Sequence, residues 1–289
     1  MPKRVKNMGA SIRARLLALA KERNQPFDLL LTRYTLERLL YRLSTSRHRD
    51  HFVLKGAMLL AGALDDPFRP TRDLDLLGFG DPAPDAMIQV FREICAIDAN
   101  DAVTFDVAAI AADRVRDDAE YGGLRIKTNA VVDGARARVV VDIGFGDAIE
   151  PGLVDIDLPV LLGQPAPRLR AYPYETVIAE KFQAMALLGL ANTRLKDFYD
   201  VWVLSRTREL DSDRLARAIA ATFARRQTPI PVEIPDALTP AFAADSGKQR
   251  QWAAFIKDVG VNPGSLVSVV EHLAGFLMPI AAAARMRSG

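Results

Sequence analysis

The hydrophobic pattern of the chain switches period twice. From residue 9 to 46 apolar residues recur at helical spacing. "ASIRARLLALAKERN" places Ile12, Leu16, Leu17 and Ala20 on one stripe, and "FDLLLTRYTLERLLYRLSTS" repeats the pattern, so two helices are predicted. A third helical piece, "HFVLKGAMLLAGAL", runs into the proline-rich turn "DDPFRPT". Period two then takes over: "RDLDLLGF", "AVTFDVAAI", "GLRIKTNAVV" and "RARVVVDIGFG" read as strands. A helix, "PDAMIQVFREICAI", separates the first two, and Asp133-Gly134 marks a hairpin between the last two. After about residue 165 helices return, with "PYETVIAEKFQAMALLGL" behind Pro173, then "TRLKDFYDVWVLSRT" and "SDRLARAIAATFARR". Beyond "TPIPVEIPDALTPAF" two more helices are expected near 246–258 and 263–286. Helices, a small mixed sheet, then helices make an α+β fold with a boundary near 165.

Composition narrows the class without deciding it. Hydrophobic residues are 49% and charged residues 26% of 289 positions, an ordinary folded balance with length for one large or two modest cores. A net charge of +2 argues against a strongly basic nucleic-acid binder, so such a role would rest on local patches. Cys95 is the single cysteine, which excludes a disulfide framework or a cysteine-rich zinc site. His48, His51 and His272 are too few for a histidine-built centre. Any metal is therefore expected on oxygen ligands, which favours Mg²⁺ or Mn²⁺. The opening "MPKRVKNMGASIRARLLALAKERN" spreads basic residues through its apolar part, unlike a secretory leader. The most apolar run, "SVVEHLAGFLMPIAAAARM", is broken by Glu271, His272 and Pro279, so no membrane span is expected and the expected location is the cytoplasm.

One stretch resists explanation as scaffolding. In "RPTRDLDLLGFGD", Asp73 and Asp75 alternate with Leu74 and Leu76, so on a strand both carboxylates leave one face. Their backbones would lie ~6.6 Å apart at about 3.3 Å per residue. Aspartate is a poor strand former and like charges on one face repel, so a compensating cation is expected. Taken alone, the pattern also suits a half-buried edge strand whose polar face meets water. "RARVVVDIGFGD" supplies a third carboxylate, Asp142, which an antiparallel neighbour could set beside the pair. Three converging carboxylates would hold two divalent ions ~3.5–4 Å apart, clamping the attacking and leaving oxygens of a phosphoryl transfer. Lys55 and Gly56, in "FVLKGAMLL", stand at a helix start, where free N–H groups receive phosphate.

In this order the pieces resemble the polymerase-β-type nucleotidyltransferases, whose signature is Gly-Ser or Gly-Gly at a helix start, Asp-x-Asp on a strand, and a third acid on a neighbouring strand. More narrowly, "VLKGAMLL…RPTRDLDLLG…VVVDIGFGD…ETVIAEKFQAM…RLKDFYDVW" resembles the AbiEii toxin group, including the MenT toxins, over roughly residues 50–205. The chain departs from that pattern in Gly56-Ala57, which keeps the backbone donors and loses a serine hydroxyl. The resemblance implies a nucleotidyltransferase domain over 1–165 and a C-terminal helical domain over 166–289 that completes the nucleotide cleft. It implies Asp73, Asp75 and Asp142 as metal ligands. It also implies Lys55, Gly56, Lys181 and Asp197 as nucleotide-binding residues, and Asp73, Asp75, Lys181 and Asp200 as catalytic. Asp197 and Asp200, three apart on a helix, share a face, and Lys196 is within reach of Asp200. Phe198 and Trp202 are expected in the core. Without this context Lys181 reads as a solvated helix residue.

The implied reaction takes a nucleoside triphosphate with Mg²⁺ or Mn²⁺. An acceptor hydroxyl attacks the α-phosphorus, pyrophosphate leaves, and Asp142 helps to activate the hydroxyl. In the family the acceptor is often the 3′ end of tRNA, so that aminoacylation and growth stop. A cognate antitoxin is then a partner, no membrane is involved, and a monomer is expected. Basic faces at Arg13, Arg15, Lys21 and Arg23, at Arg42, Arg47, His48 and Arg49, and at Arg225-Arg226 are candidates for guiding RNA. Two other classes stay open: a nucleotidyltransferase acting on a protein or small molecule, and a non-catalytic nucleotide-binding module. Thr71, two residues before Asp73, reads as a turn threonine. The MenT branch implies instead a hydroxyl that a kinase-like antitoxin modifies, adding about −1.5 to −2 charges beside the aspartates.

Overall fold

The computed structural model describes residues 7–63, 71–115 and 123–288. They divide into two compact units. The first takes the described residues up to 146 together with 155–171, and the second takes 147–154 and everything from 172 onward.

The first unit is a sheet packed on helices. α1 (Met8–Glu22) starts at Asn7, whose side chain accepts the Ala10 N–H at 3.0 Å, one of the donors a helix start leaves unpaired. It buries Ile12, Leu16 and Ala20, whereas Leu17 of the expected stripe is 40% exposed. α2 (Phe27–Thr45) is buried on nearly every side. The segment expected to be one helix at 51–64 is instead β1 (Phe52–Lys55) followed by α3 (Gly56–Ala63), because a short apolar run carries no period to distinguish the two. Then come β2 (Asp73–Gly78), α4 (Pro84–Ala96), β3 (Thr104–Phe105), β4 (Ala111–Val115), β5 (Gly123–Val132), β6 (Ala135–Phe145), β7 (Val154–Asp157) and β8 (Arg168–Ala171). The expected strand "AVTFDVAAI" survives only as Thr104–Phe105 before the chain turns into β4.

The strands form one sheet in the order β3-β5-β6-β2-β1-β8-β7, with β4 also paired to β5. The β5–β6 hairpin closes at Asp133-Gly134, with φ of 47° and 78°, the two positive values that a type I′ turn requires. β6 runs parallel to β2, which corrects the antiparallel neighbour expected from the sequence. β2 leaves through α4 and the chain returns along β5, so the second arm of the hairpin comes back in the direction of β2. Alternation then sorts the side chains. Leu74, Leu76, Val141, Ile143, Leu124 and Ile126 are buried on the face toward the core, where α2 packs on β6. Asp73, Asp75, Asp142 and Arg125 leave the other face.

α2 fixes the loops around that sheet through buried charge. Asp101 accepts from Arg38 Nε at 2.8 Å and from Arg42 at 2.6 and 3.0 Å, with all three residues almost fully buried. Arg38 also donates to the Pro165 carbonyl at 2.9 Å, and Arg42 to the Ile97 and Val103 carbonyls. Glu37 accepts from Arg33 at 2.9 Å and from the Leu161 N–H at 3.0 Å. Burial pushes the Glu37 carboxyl up to about 7 despite those contacts.

The second unit is helical: α5 (Tyr174–Leu188), α6 (Leu195–Thr207), α7 (Ser212–Arg225), α8 (Pro240–Ala244), α9 (Ser246–Phe255) and α10 (Leu266–Ser288). By length and composition α10 passes for a membrane span, with a mean hydropathy of 1.7 over an 18-residue stretch within Leu266–Arg287, which corrects the expectation that no run qualifies. Its buried residues nevertheless fall at Leu266, Val269, Val270, Leu273, Leu277, Ile280, Ala281 and Ala284, the stripe of a helix packed on α7 and α6. Phe198 is fully buried and stacks on Phe242 at 5.1 Å, and Trp202 is half-buried.

Candidate active site

The acidic strand residues fall on one row of the sheet. Lys55 of β1 pairs in register with Asp75 of β2, Asp75 with Asp142 of β6, Asp142 with Arg125 of β5, and Arg125 with Asp113 of β4. In-register neighbours share a face, so five charged side chains cross the open side of the sheet in line. Asp73 lies two residues along β2 on the same face, in register with Val140. Asp73 is exposed, while Lys55, Asp75, Asp142 and Arg125 are half-buried.

Gly56 is the residue that lets Asp75 sit where it does. Its φ of 68° is the left-handed conformation that starts α3 directly from β1. A Cβ at this position would lie 1.9 Å from Asp75 Oδ2 and 2.7 Å from Asp75 Cβ. Glycine is therefore required twice over, by the backbone angle and by the carboxylate pressed against it.

Asp142 is engaged on its far side. Arg125 donates Nε to Asp142 Oδ1 at 2.7 Å and Nη2 to Oδ2 at 2.8 Å, the bidentate geometry of a strong ion pair. The hydrogen bonds and charge of Asp142 raise the Arg125 pKa further above its ordinary value. Lys127, two residues on along β5, pairs with Asp113. Among the described residues no three His, Cys, Asp or Glu side chains gather closely enough to hold a metal ion. Asp73 and Asp75 are all-oxygen donors on an open face, which suits a Mg²⁺ or Mn²⁺ ion that completes its shell with water and phosphate. Asp142 could join them only by giving up Arg125.

A second cluster stands within the helical unit. Lys181 Nζ of α5 lies 2.5 Å from Asp197 Oδ1 and 2.9 Å from Asp200 Oδ2, both on α6. Asp200 is fully buried and the Asp197 side chain 7% exposed, so the lysine holds two carboxylates that water hardly reaches. Arg194 Nε is 2.8 Å from Asp197 Oδ2, close enough for an ion pair although not aligned as a hydrogen bond. Asp197 and Asp200 do share a face, and the cation between them is Lys181 of the neighbouring helix, while Lys196 is exposed.

Thr71 is half-buried and donates its hydroxyl to the Asp73 carbonyl at 3.2 Å, so it braces the entrance to β2. The basic faces expected to guide RNA are partly spoken for. Arg42 is buried on Asp101, which removes it as an RNA contact, and Arg47 and His48 both bind Glu93. Arg15 donates to the Leu162 carbonyl, and Arg226 lies against Glu180 and Gln183. The residues that pattern reading missed are Arg125, Arg136 and Arg138, on the face of the acidic row. A signal for them existed: a two-residue turn at 133–134 sets Val132 opposite Ala135, and counting outward puts Arg125 opposite Asp142.

Residues 38–271 match the profile of a protein family described as nucleotidyl transferase AbiEii toxin, type IV toxin–antitoxin system. Two crystal structures from H. pylori resemble the fold. One, provisionally assigned as a nucleotidyltransferase, is 16% identical with a TM-score of 0.48 and covers 90% of this chain and 96% of its own. The other, of JHP933, is 15% identical with a TM-score of 0.48 and covers 90% and 93%. No curated protein matches the sequence significantly.

Proposed function

The chain belongs to the AbiEii nucleotidyltransferase toxin family of type IV toxin–antitoxin systems, and from that premise we propose that it moves a nucleotide from a nucleoside triphosphate to the 3′ end of tRNA. Membership makes it a nucleotidyltransferase with a cognate antitoxin. The observation that supports the site is the open sheet face on which Asp73 and Asp75 stand beside Asp142, with Gly56 pressed against Asp75.

On this reading Asp73 and Asp75 would hold a divalent ion. When bound, such an ion supplies charge neutralisation on the triphosphate and polarises the α-phosphorus. The remaining work belongs to the chain. Asp75 is kept in place by Gly56 on one side and lies in register with Lys55, so its carboxylate is positioned before substrate arrives. The N–H groups at the start of α3, next to Lys55, are donors for phosphate oxygens. Asp142, once released from Arg125, would take the proton of the attacking hydroxyl. In the helical unit Lys181, its ammonium fixed by Asp197 and Asp200, is the residue that the family resemblance implies for binding phosphate. Thr71 is the hydroxyl that a modifying antitoxin would phosphorylate, placing negative charge at the start of the acidic strand.

The test is incubation of the purified chain with each of the four labelled triphosphates, Mg²⁺ and tRNA, wild type beside Asp73→Ala. Label on a tRNA-sized band that Asp73→Ala abolishes is the expected result. A wild-type reaction that labels no RNA, or a variant as active as wild type, refutes the proposal.

A further inference from the structure

The open face that carries the acidic row continues toward the hairpin turn with a change of sign. Along β6 the outward positions after Asp142 are Val140, Arg138 and Arg136, and along β5 those after Arg125 are Lys127, Asn129 and Val131. Arg138 is in register with Asn129, and Arg136 with Val131, which in turn pairs with Thr104 of β3. Arg136, Arg138, Asn129 and Thr104 are all exposed. Arg125 and Lys127 are committed to Asp142 and Asp113, whereas neither Arg136 nor Arg138 makes an ion pair or side-chain hydrogen bond with any described residue. At about 3.4 Å per residue, Arg138 and Arg136 stand ~14 and ~20 Å from Asp142 along one strand.

We propose that this face is the acceptor track: a single-stranded 3′ segment of RNA lies along β5–β6, its phosphates on Arg138 and Arg136 and its terminal hydroxyl at the acidic row. The inference rests on the nucleotidyl-transfer reading and deepens it by naming the surface that takes the acceptor. Three features select this occupant. Guanidinium groups without a partner among the described residues, two residues apart on one face, suit a repeating anion. The stripe ends at the carboxylates, where a chain terminus and not its middle must be presented. Between the arginines and the row only Val140 interrupts the polar positions of β6, and the face offers no aromatic platform among these residues for stacking bases. Binding is therefore mainly electrostatic and indifferent to sequence, and choice among RNAs falls on the presence of a free single-stranded end.

The test measures binding of a short fluorescein-labelled single-stranded RNA by anisotropy across a salt series. Wild type is set beside the double variant Arg136→Ala/Arg138→Ala and the charge-keeping Arg136→Lys/Arg138→Lys. Each phosphate contact on a single strand contributes about 0.7 to the slope of log K against log salt, so the alanine pair lowers that slope by about 1.4. It weakens binding on the order of ten-fold near 0.1 M salt, and the lysine pair restores most of the slope. In the transfer assay the alanine pair raises KM for RNA and leaves KM for the triphosphate unchanged. Both residues are exposed, and a circular dichroism spectrum identical to wild type confirms that the fold is intact. A slope unchanged in the alanine pair, or lost equally in the lysine pair, overturns the track. The two readings fail separately: a wild-type chain that transfers nothing to RNA sinks the proposed reaction, while the salt slope still decides the track.

Discussion

Replacing Gly56 with alanine tests whether the site is built as argued. The perturbation has two parts that the structure separates. The first is the backbone, where φ is 68°, a left-handed conformation costing a residue with a Cβ roughly 1–2 kcal/mol. The second is contact: the new Cβ would stand 1.9 Å from Asp75 Oδ2, about 1.5 Å inside ordinary van der Waals distance. Rotating the carboxylate relieves that overlap but not the 2.7 Å approach to Asp75 Cβ, so β1 and β2 must also shift. Overpacking of this kind costs about 1–3 kcal/mol. Gly56→Ala should therefore lose about 2–5 kcal/mol in urea denaturation and, with Asp75 displaced by about 1 Å, on the order of 100-fold in nucleotide transfer. The double variant Gly56→Ala/Asp75→Gly removes both the carboxylate and its Cβ from the clash, so its stability loss should fall short of the sum of the singles by at least about 1 kcal/mol. Strict additivity, or a Gly56→Ala protein with wild-type stability and activity, would refute the placement of Asp75 against Gly56.

Three further outcomes follow from the charges. Asp101→Asn leaves Arg38 and Arg42 buried with no anion between them and should cost about 3–5 kcal/mol in denaturant midpoint analysis. Because the folded Glu37 carboxyl titrates near 7, above its ordinary 4.5, the native state binds the extra proton and stability falls as pH rises between those values. Glu37→Gln should flatten that fall by up to about 1.4 kcal/mol per pH unit, read from urea midpoints at pH 5, 6 and 7, and an unchanged pH profile would show that Glu37 is not the titrating group. Arg125→Gln frees Asp142 from an ion pair worth about 1 kcal/mol at its exposure, so Mn²⁺ affinity measured by electron paramagnetic resonance should rise roughly five-fold if Asp142 can join the site. Unchanged affinity would remove Asp142 from the ligand set.

What could be read in advance follows from which interactions are local. The hairpin at Asp133-Gly134 is visible because two positive φ angles demand those residue types, and it carries the β5–β6 register with it. The same-face placement of Asp73 and Asp75 follows from strand period alone. The parallel pairing of β2 with β6 does not, since it depends on the route through α4 and β3–β5, a long-range choice that no window contains. α2 misleads in the opposite sense. Arg33, Glu37, Arg38 and Arg42 are the residue types of a solvated helix surface, yet the loops at 97–103 and 161–165 close over them and supply Asp101, backbone carbonyls and the Leu161 N–H as partners. An arginine in a sequence does not show whether its anion is water-exposed or sixty residues away. Lys181 is a similar case: its two aspartates lie one helix further on, and pattern paired one of them with Lys196 instead.

The charge order of the row bears on why an acidic site can exist in a folded sheet at all. Asp75 and Asp142 occupy adjacent strands about 4.8 Å apart, and two carboxylates at ~5 Å in surroundings of effective dielectric ~20 repel by roughly 3 kcal/mol. Left alone, that repulsion would favour moving the strands apart or protonating one acid. The sheet places a cation at each end of the pair, Lys55 beyond Asp75 and Arg125 beyond Asp142, so the folded state holds two nearly balanced couples rather than a bare dianion. Asp73 lies off this row, with the apolar Val140 as its register partner on β6. Exposed Asp73 and the half-buried Asp75 behind it would be the carboxylates open to hold a divalent ion. Asp142 can follow only by exchanging one positive partner for another. The ion pair that makes the unliganded sheet tolerable is thereby also the competitor that any cation must displace.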